Sequence, residues 1–384
     1  MPEESVIDER ASKKSSKRAR PKSPSPIKPG FLDFFAGSGL VTEALKPSFE
    51  AVWANDICER KGVVYRANHS PKVFHSTPIE EVKGWEVPNA TLSWASFPCQ
   101  DLSLAGNMDG IKSARSGLVW QWLRVMDEMG ERPPIVVAEN VVGLVSASGG
   151  AHYRSLHGAL SKRGYRCGAV ILDAALWAPQ SRPRVFVVGV SSVVNAEGFE
   201  DKNPGWAQPA SIQKAVHGLR NKVWWRIPEP KSERPSLEEL IDFTAPLDPP
   251  HVAQRNIGLI PKRHMEKLEI AISEGRRAFP GYRRTRDGKQ TLELRFDGVA
   301  GCLRTPEGGS SRQLLVIHGE NGLGTRLLTM REAAALMGAG PDYKIPGSYN
   351  SGYKAMGDAV AVPAARHLAE SLLAPLARHI EEHG

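Results

Sequence analysis

Long apolar runs are missing from this chain. No stretch approaches the roughly 20 consecutive apolar residues that a membrane helix needs, and the amino-terminal residues are charged where a secretory signal would be apolar. Both absences predict an intracellular, cytoplasmic protein with no membrane partner. Cysteine is scarce. The four, at positions 58, 99, 167 and 302, fall at no disulfide-framework or metal-ligand spacing, which fits a reducing compartment and predicts no bound metal. Aromatic residues are absent from 1–29, a segment rich in Lys, Arg, Ser and Pro. Such a stretch cannot bury enough apolar surface to order itself, so a disordered basic tail is expected there.

What the chain does contain is ordinary globular material, 41% hydrophobic and 24% charged. Its 384 residues suit one large domain with a smaller one. The net charge is +8, and its placement says more than its size. Residues 251–313 carry 13 Lys or Arg against 7 Asp or Glu, and residues 1–30 carry 8 against 4. Positive charge concentrated in one internal segment is the footprint of a surface that binds a polyanion. For either segment alone, a solvated face is the simpler explanation.

Two apolar runs organise the chain. Residues 91–100, TLSWASFPCQ, read as a buried strand that stops at Pro98 and places Cys99 just beyond its carboxyl end. Residues 134–141, PIVVAENV, read as a second strand that brings Glu139 and Asn140 to the same edge, where open α/β sheets collect their chemistry. A thiol and a carboxyl on one rim suggest a nucleophile with an acid beside it. Upstream, FLDFFAGSGLVTEALKP predicts strand, small-residue turn and short helix, and AVWAND ends a second strand in Asp56, placed to accept from a ribose. The third glycine of a dinucleotide fingerprint is missing, which favours a ligand the size of a mononucleoside. The alternation continues through a helix over 118–129 and another over 152–162 to two strands flanking Gln180, Arg182 and Arg184. It predicts a doubly wound, mostly parallel α/β sheet with a smaller second domain. The expected divisions are a tail over 1–29, a catalytic and cofactor-binding domain over 30–190, a target-recognition domain over 191–313, and a segment over 314–384 that packs back on the first domain.

With these residues in order, the chain resembles the cytosine-5 DNA methyltransferases, which use S-adenosylmethionine. FLDFFAGSGL resembles the family's cofactor loop, SFPCQDLS its nucleophile motif, ENV its acidic motif and QSRPR its paired-arginine motif. LRTPEGGSSRQ resembles the close of its target-recognition region, LLTMREAAALMG the following helix, and GYKAMGDAVAV its last motif. The resemblance implies a Rossmann-like class I methyltransferase fold. It implies that Cys99 adds to carbon 6 of cytosine, that Glu139 stabilises charge at ring nitrogen 3, that Asn140 holds the backbone, and that Arg182 and Arg184 supply positive charge. It assigns the cofactor to Phe35, Gly37, Ser38, Gly39, Leu40, Asp56, Ile57, Ile79, Pro98, Asp358 and Val360. DNA contacts are expected from Gln100, Ser103, Arg115, Gln180, Arg283, Arg284, Arg304, Thr305, Gly308, Gly309 and Gln313.

Two departures from the family stand out. Thr77-Pro78-Ile79 replaces the usual acid that binds the adenine amino group, and Asp358 stands where the last motif usually has Asn. The implied function is methyl transfer to a flipped cytosine in a specific duplex sequence by a monomeric, DNA-associated prokaryotic enzyme, with a separate cognate restriction endonuclease as partner. An RNA (tRNA) cytosine-5 methyltransferase and a silent DNA-binding homologue are the alternatives. The basic insert disfavours the first, and the intact Cys99, Glu139, Arg182 and Arg184 disfavour the second.

Overall fold

The computed structural model describes residues 28–98, 117–231, 233–304 and 312–383. Within them a seven-stranded sheet is built from β1 (Gly30–Phe34), β2 (Glu50–Asn55), β3 (Phe74–His75), β4 (Leu92–Ala95), β5 (Ile135–Val141), β6 (Tyr165–Asp173) and β7 (Pro183–Ser191), in the spatial order β3-β2-β1-β4-β5-β7-β6. All neighbours are parallel except β7, which runs antiparallel to both β5 and β6. The central strands are apolar because both of their faces are covered. In β1, Phe31 enters one core while Leu32 and Phe34 enter the other, and in β5 the pair Ile135 and Val137 alternates in the same way with Val136 and Ala138.

Helices cover both faces. They are α1 (Leu40–Leu45), α2 (Glu59–Asn68), α3 (Leu118–Glu128), α4 (Gly143–Ser146), α5 (Ala151–Lys162) and α6 (Ala210–Ala215). In α3, Val119, Trp122, Leu123 and Met126 recur at helical spacing and are fully buried, which is the stripe that docks it. A two-stranded ribbon, β8 (Glu200–Asp201) and β9 (Trp224–Trp225), lies against β6. Trp225 is buried in the first core, and its Nε1 donates to the Val188 carbonyl at 3.0 Å.

A smaller body follows, with α7 (Pro250–Ile257), α8 (Lys262–Ser273), β10 (Ala278–Arg286), β11 (Lys289–Leu294), β12 (Leu314–Gly319) and β13 (Gly322–Leu327). Its four-stranded sheet has the order β11-β10-β12-β13 and closes on its own core around Leu268, Phe279, Leu292 and Val316. The chain returns through α9 (Met330–Leu336), α10 (Tyr349–Asp358), α11 (Val362–Leu368) and α12 (Ala374–His383), all of which add to the first core except the exposed end of α12.

The expected boundary at 313 is corrected by this arrangement. Strand β12 pairs with β10 and β13 pairs with β12, so the small body extends to Leu327. The start expected at 191 is also displaced, because β9 and α6 pack on the large sheet. The tail over 1–27 lies outside the described residues.

Candidate active site

The carboxyl end of β5 carries the acid. By the two-residue alternation Glu139 faces the same side as Val137, and Arg184, two residues before Phe186, faces that side of β7. The register sets Glu139 opposite Phe186 and Val141 opposite Arg184, so acid and arginine are diagonal neighbours. Their side chains meet with Arg184 Nε 3.2 Å from Glu139 Oε1. Burial pushes the Glu139 pKa above the usual carboxylate range. The guanidiniums of Arg184 and Arg182 and a hydrogen bond from Ser96 oppose it without cancelling it.

Asn140 faces the opposite side. Its Nδ2 donates to the Phe97 carbonyl at 2.9 Å and its Oδ1 accepts from the Val141 amide at 2.9 Å. It thereby fixes the backbone two residues before Cys99. Cys99 itself lies outside the described residues, as do Gln100, Ser103, Arg115, Thr305, Gly308 and Gly309. Pro98 is exposed at the edge of the described segment. Among the other thiols, Cys167 is fully buried and its pKa is driven up by burial, which removes it as a nucleophile.

The two arginines do different things. Arg182 is 1% exposed, and its Nη1 donates to the Leu303 carbonyl at 3.0 Å and lies 3.2 Å from Cys302 Sγ. Its Nη2 donates to the carbonyls of Gly357 at 2.8 Å and Ala359 at 2.5 Å. Burial lowers its pKa to about 10, with the Arg184 charge acting in the same direction. Arg182 therefore braces three chain segments, while Arg184 faces the acid.

Gln180 and Gln313 were expected on DNA; in the chain without DNA both amides are engaged inside the protein. Each is wholly buried. Gln180 Nε2 donates to Leu336 O at 2.8 Å and its Oε1 accepts from the Leu303 amide, while Gln313 Oε1 accepts from Gly301 N and its Nε2 donates to Gly281 O. Their amides staple the chain between the two bodies, which a buried polar group requires. Arg283 is likewise turned inward, donating to Asn256. Arg284 pairs with Glu293 at 3.0 Å on an exposed hairpin, and Arg304 is exposed.

At the carboxyl ends of β1 and β2, the glycine turn meets Asp56. Gly37 and Gly39 have φ of 57° and 85°, and Phe35 also has a positive φ, 58°. A Cβ on Gly39 would stand 2.6 Å from His69 and 2.8 Å from Tyr65, so that position admits only glycine. Asp56 accepts from the Gly37 amide at 2.9 Å and the Cys58 amide at 2.7 Å, which leaves one lone pair on each oxygen for a ligand. Ile57 beside it is 69% exposed, an apolar face open to solvent.

Open lone pairs on Asp56 beside an exposed apolar side chain suit the hydroxyls and base of a nucleoside. Ser38 and Leu40 are buried beneath the turn, Ser38 donating to Ala355 O at 3.2 Å. Ile79 is buried in the second core with its carbonyl taken by Arg124, and Val360 is buried in the first. The Thr77 carbonyl, at the position of the missing acid, accepts from Asn55 Nδ2. Asp358 pairs with Lys61 at 2.7 Å, a partner not evident in the sequence.

A sequence profile described as C-5 cytosine-specific DNA methylase matches residues 30–374. The chain is similar to the type II methyltransferase M.Bsp6I of Bacillus sp. (strain RFL6), 25% identical over 345 residues that cover 88% of this chain and 96% of the relative. It is similar to the type II methyltransferase M.MthTI of Methanothermobacter thermautotrophicus at 28% identity over 352 residues, covering 88% and 95%. Among solved structures, the S. pombe Dnmt2 methyltransferase has a TM-score of 0.59 at 17% identity over 91% of this chain and 99% of that one. Methyltransferase EhMeth of Entamoeba histolytica has a TM-score of 0.63 at 14% identity over the same shares. At these identities the structures speak to the fold.

Proposed function

The chain belongs to the C-5 cytosine-specific DNA methylase family, and on that footing we propose that it methylates carbon 5 of a cytosine flipped out of a specific duplex sequence, through a covalent adduct with Cys99. The observation that carries the reading is the Glu139–Arg184 pair at the edge where Asn140 holds the approach to Cys99. Carbon 5 of cytosine is a poor nucleophile until the ring is made electron-rich. Addition of the Cys99 thiolate to carbon 6 does this and pushes electrons toward ring nitrogen 3.

Glu139, its pKa raised by burial, keeps a proton to share with that nitrogen, and Arg184 orients the carboxyl and offers positive charge to the ring's carbonyl oxygen. S-adenosylmethionine, held by Phe35, the Gly37–Gly39 turn, Asp56 and Ile57, supplies the electrophilic methyl group when bound. Loss of the carbon-5 proton to a solvent water then re-forms the carbon 5–carbon 6 double bond and expels Cys99 as the thiolate. A base stacked in a duplex is out of reach of this site, so the target must be flipped into it, and the small body with Arg284 and Arg304 is the surface that holds the DNA.

The type II names of the relatives support a separate cognate restriction endonuclease as partner. No helix among the described residues is long and apolar enough to cross a membrane. The enzyme works as a monomer in this reading.

The test is covalent trapping. Duplex DNA with 5-fluorocytosine at the methylated position, mapped first by bisulfite sequencing, leaves no proton to remove. It should form a denaturation-resistant complex that requires the cofactor and disappears in Cys99→Ala. No complex at a mapped site overturns the mechanism, and a complex with fluorinated RNA only would turn the substrate assignment to RNA.

A further inference from the structure

We infer that Lys61 is a positioning residue for the cofactor: its ion pair with Asp358 clasps the carboxyl end of α10 to the first turn of α2 across the Gly37 turn and sets the width of the cleft between them. The inference rests on the cofactor assignment above. Lys61 Nζ lies 2.7 Å from Asp358 Oδ2, and the two side chains are only 18% and 33% exposed, so this is not a freely solvated surface pair. The lysine stem lies over the glycine turn. A Cβ built on Gly37 would be 3.8 Å from Lys61 Cδ and 3.9 Å from Asp56 Oδ2.

One ammonium thus serves carboxylates on both walls. Burial works against its charge, but Asp358 and Asp56 outweigh burial and hold its pKa above the usual lysine range. The same α10 turn is gripped from the catalytic side by Arg182, through the Gly357 and Ala359 carbonyls. Lys61 supplies the matching grip from the cofactor side. The pair also answers the departure at Asp358: an acid in place of the family's Asn is accommodated because a cation stands 2.7 Å away.

The experiment measures binding of S-adenosylmethionine and S-adenosylhomocysteine by calorimetry, with steady-state kinetics, on the full chain. Lys61→Met keeps the stem and removes the charge. It should weaken both ligands about 3- to 10-fold, the effect of roughly a kcal/mol, with the loss falling on KM for the cofactor more than on kcat. Lys61→Arg should retain affinity. The exchange Lys61→Asp with Asp358→Lys should recover most of what either single reversal loses. Unchanged affinity in Lys61→Met overturns the clasp, and so does a charge exchange no better than the single reversals, because the residues would then act on the ligand separately. Melting temperatures of each variant separate a folding defect from a binding defect, with the arginine variant deciding if the methionine variant does not fold. A parent chain that binds neither ligand would refute the cofactor assignment instead.

Discussion

Glu139 and Arg184 meet across two antiparallel strands, Nε to Oε1 at 3.2 Å, with the acid 6% exposed. A carboxylate in that position would ordinarily be held ionised by the guanidinium. Here burial outweighs the arginines, and the carboxyl holds its proton at a higher pH than a solvated glutamate does. The pair therefore sets the orientation of the acid, and burial sets its protonation against the pull of the pair.

That balance fixes a pH dependence. If the protonated acid is the working form, as proposed, turnover should fall as pH rises through the elevated Glu139 pKa. Glu139→Gln should lower kcat by about 10²- to 10⁴-fold and abolish this limb, with cofactor affinity by calorimetry unchanged. A variant that keeps the parental pH profile would show that another group titrates.

The paired arginines should separate by readout. Arg182→Lys leaves the carbonyls of Leu303, Gly357 and Ala359 short of donors in a buried site. It should cost about 2–4 kcal/mol in urea unfolding. Arg184→Lys keeps a charge near Glu139 and should cost about 1 kcal/mol or less of stability while lowering kcat. Equal destabilisation by the two would contradict the bracing role of Arg182.

Much of this was legible in the sequence because the central strands are buried on both faces. PIVVA is an unbroken apolar run and TLSWA is broken only by Thr91 and Ser93, and the candidate site residues sit where those runs stop. The small sheet was not legible, since β10 reads AFPGYRRTR and its outer half is charged. Its pairing comes from partners remote in sequence. One local signal was present: Asp287-Gly288, with φ of 49° and 76°, is the two-residue turn that joins β10 to β11. Thr329 and Glu332 form a capping box, also readable as T-x-x-E, and there Glu332 doubles as the buried partner of Arg326 at 2.6 Å. The burial of Gln180 and Gln313 had no signal, because an amide's surroundings depend on segments more than 100 residues away for the first and on the hairpin for the second.

Asp33 gives a stability test. It is wholly buried in β1, accepts from Thr42 Oγ1 at 2.8 Å, and leaves Oδ1 without a partner. Burial raises its pKa from 3.8 to about 7. The folded state therefore holds a proton that the unfolded chain has already released, and stability falls as pH rises from about 4 to about 7. Asp33→Asn should remove that loss, gaining on the order of 3–4 kcal/mol over the parent at pH 8 relative to pH 4. Urea unfolding at both pH values measures it. A difference between variant and parent that does not vary with pH would place the ionisation elsewhere.

Glu293 holds two arginines of the β10–β11 hairpin, Arg284 at 3.0 Å and Arg286 at 2.7 Å. If this hairpin faces DNA, the acid is a restraint on phosphate binding, since it neutralises cations that would otherwise displace counterions. The pairs are largely exposed, so removing the acid costs little stability, about 1 kcal/mol at most. Glu293→Gln should tighten binding to non-cognate duplex at low salt and steepen the slope of log K against log salt by about 1–2. A charge change of the same size at Glu381, on the exposed end of α12, is the control for net charge alone. Tightening by Glu293→Gln but not by Glu381→Gln places the hairpin on the DNA. Equal effects would reduce the basic segment to a general electrostatic field, and no effect from either would move the DNA to another face of the small body.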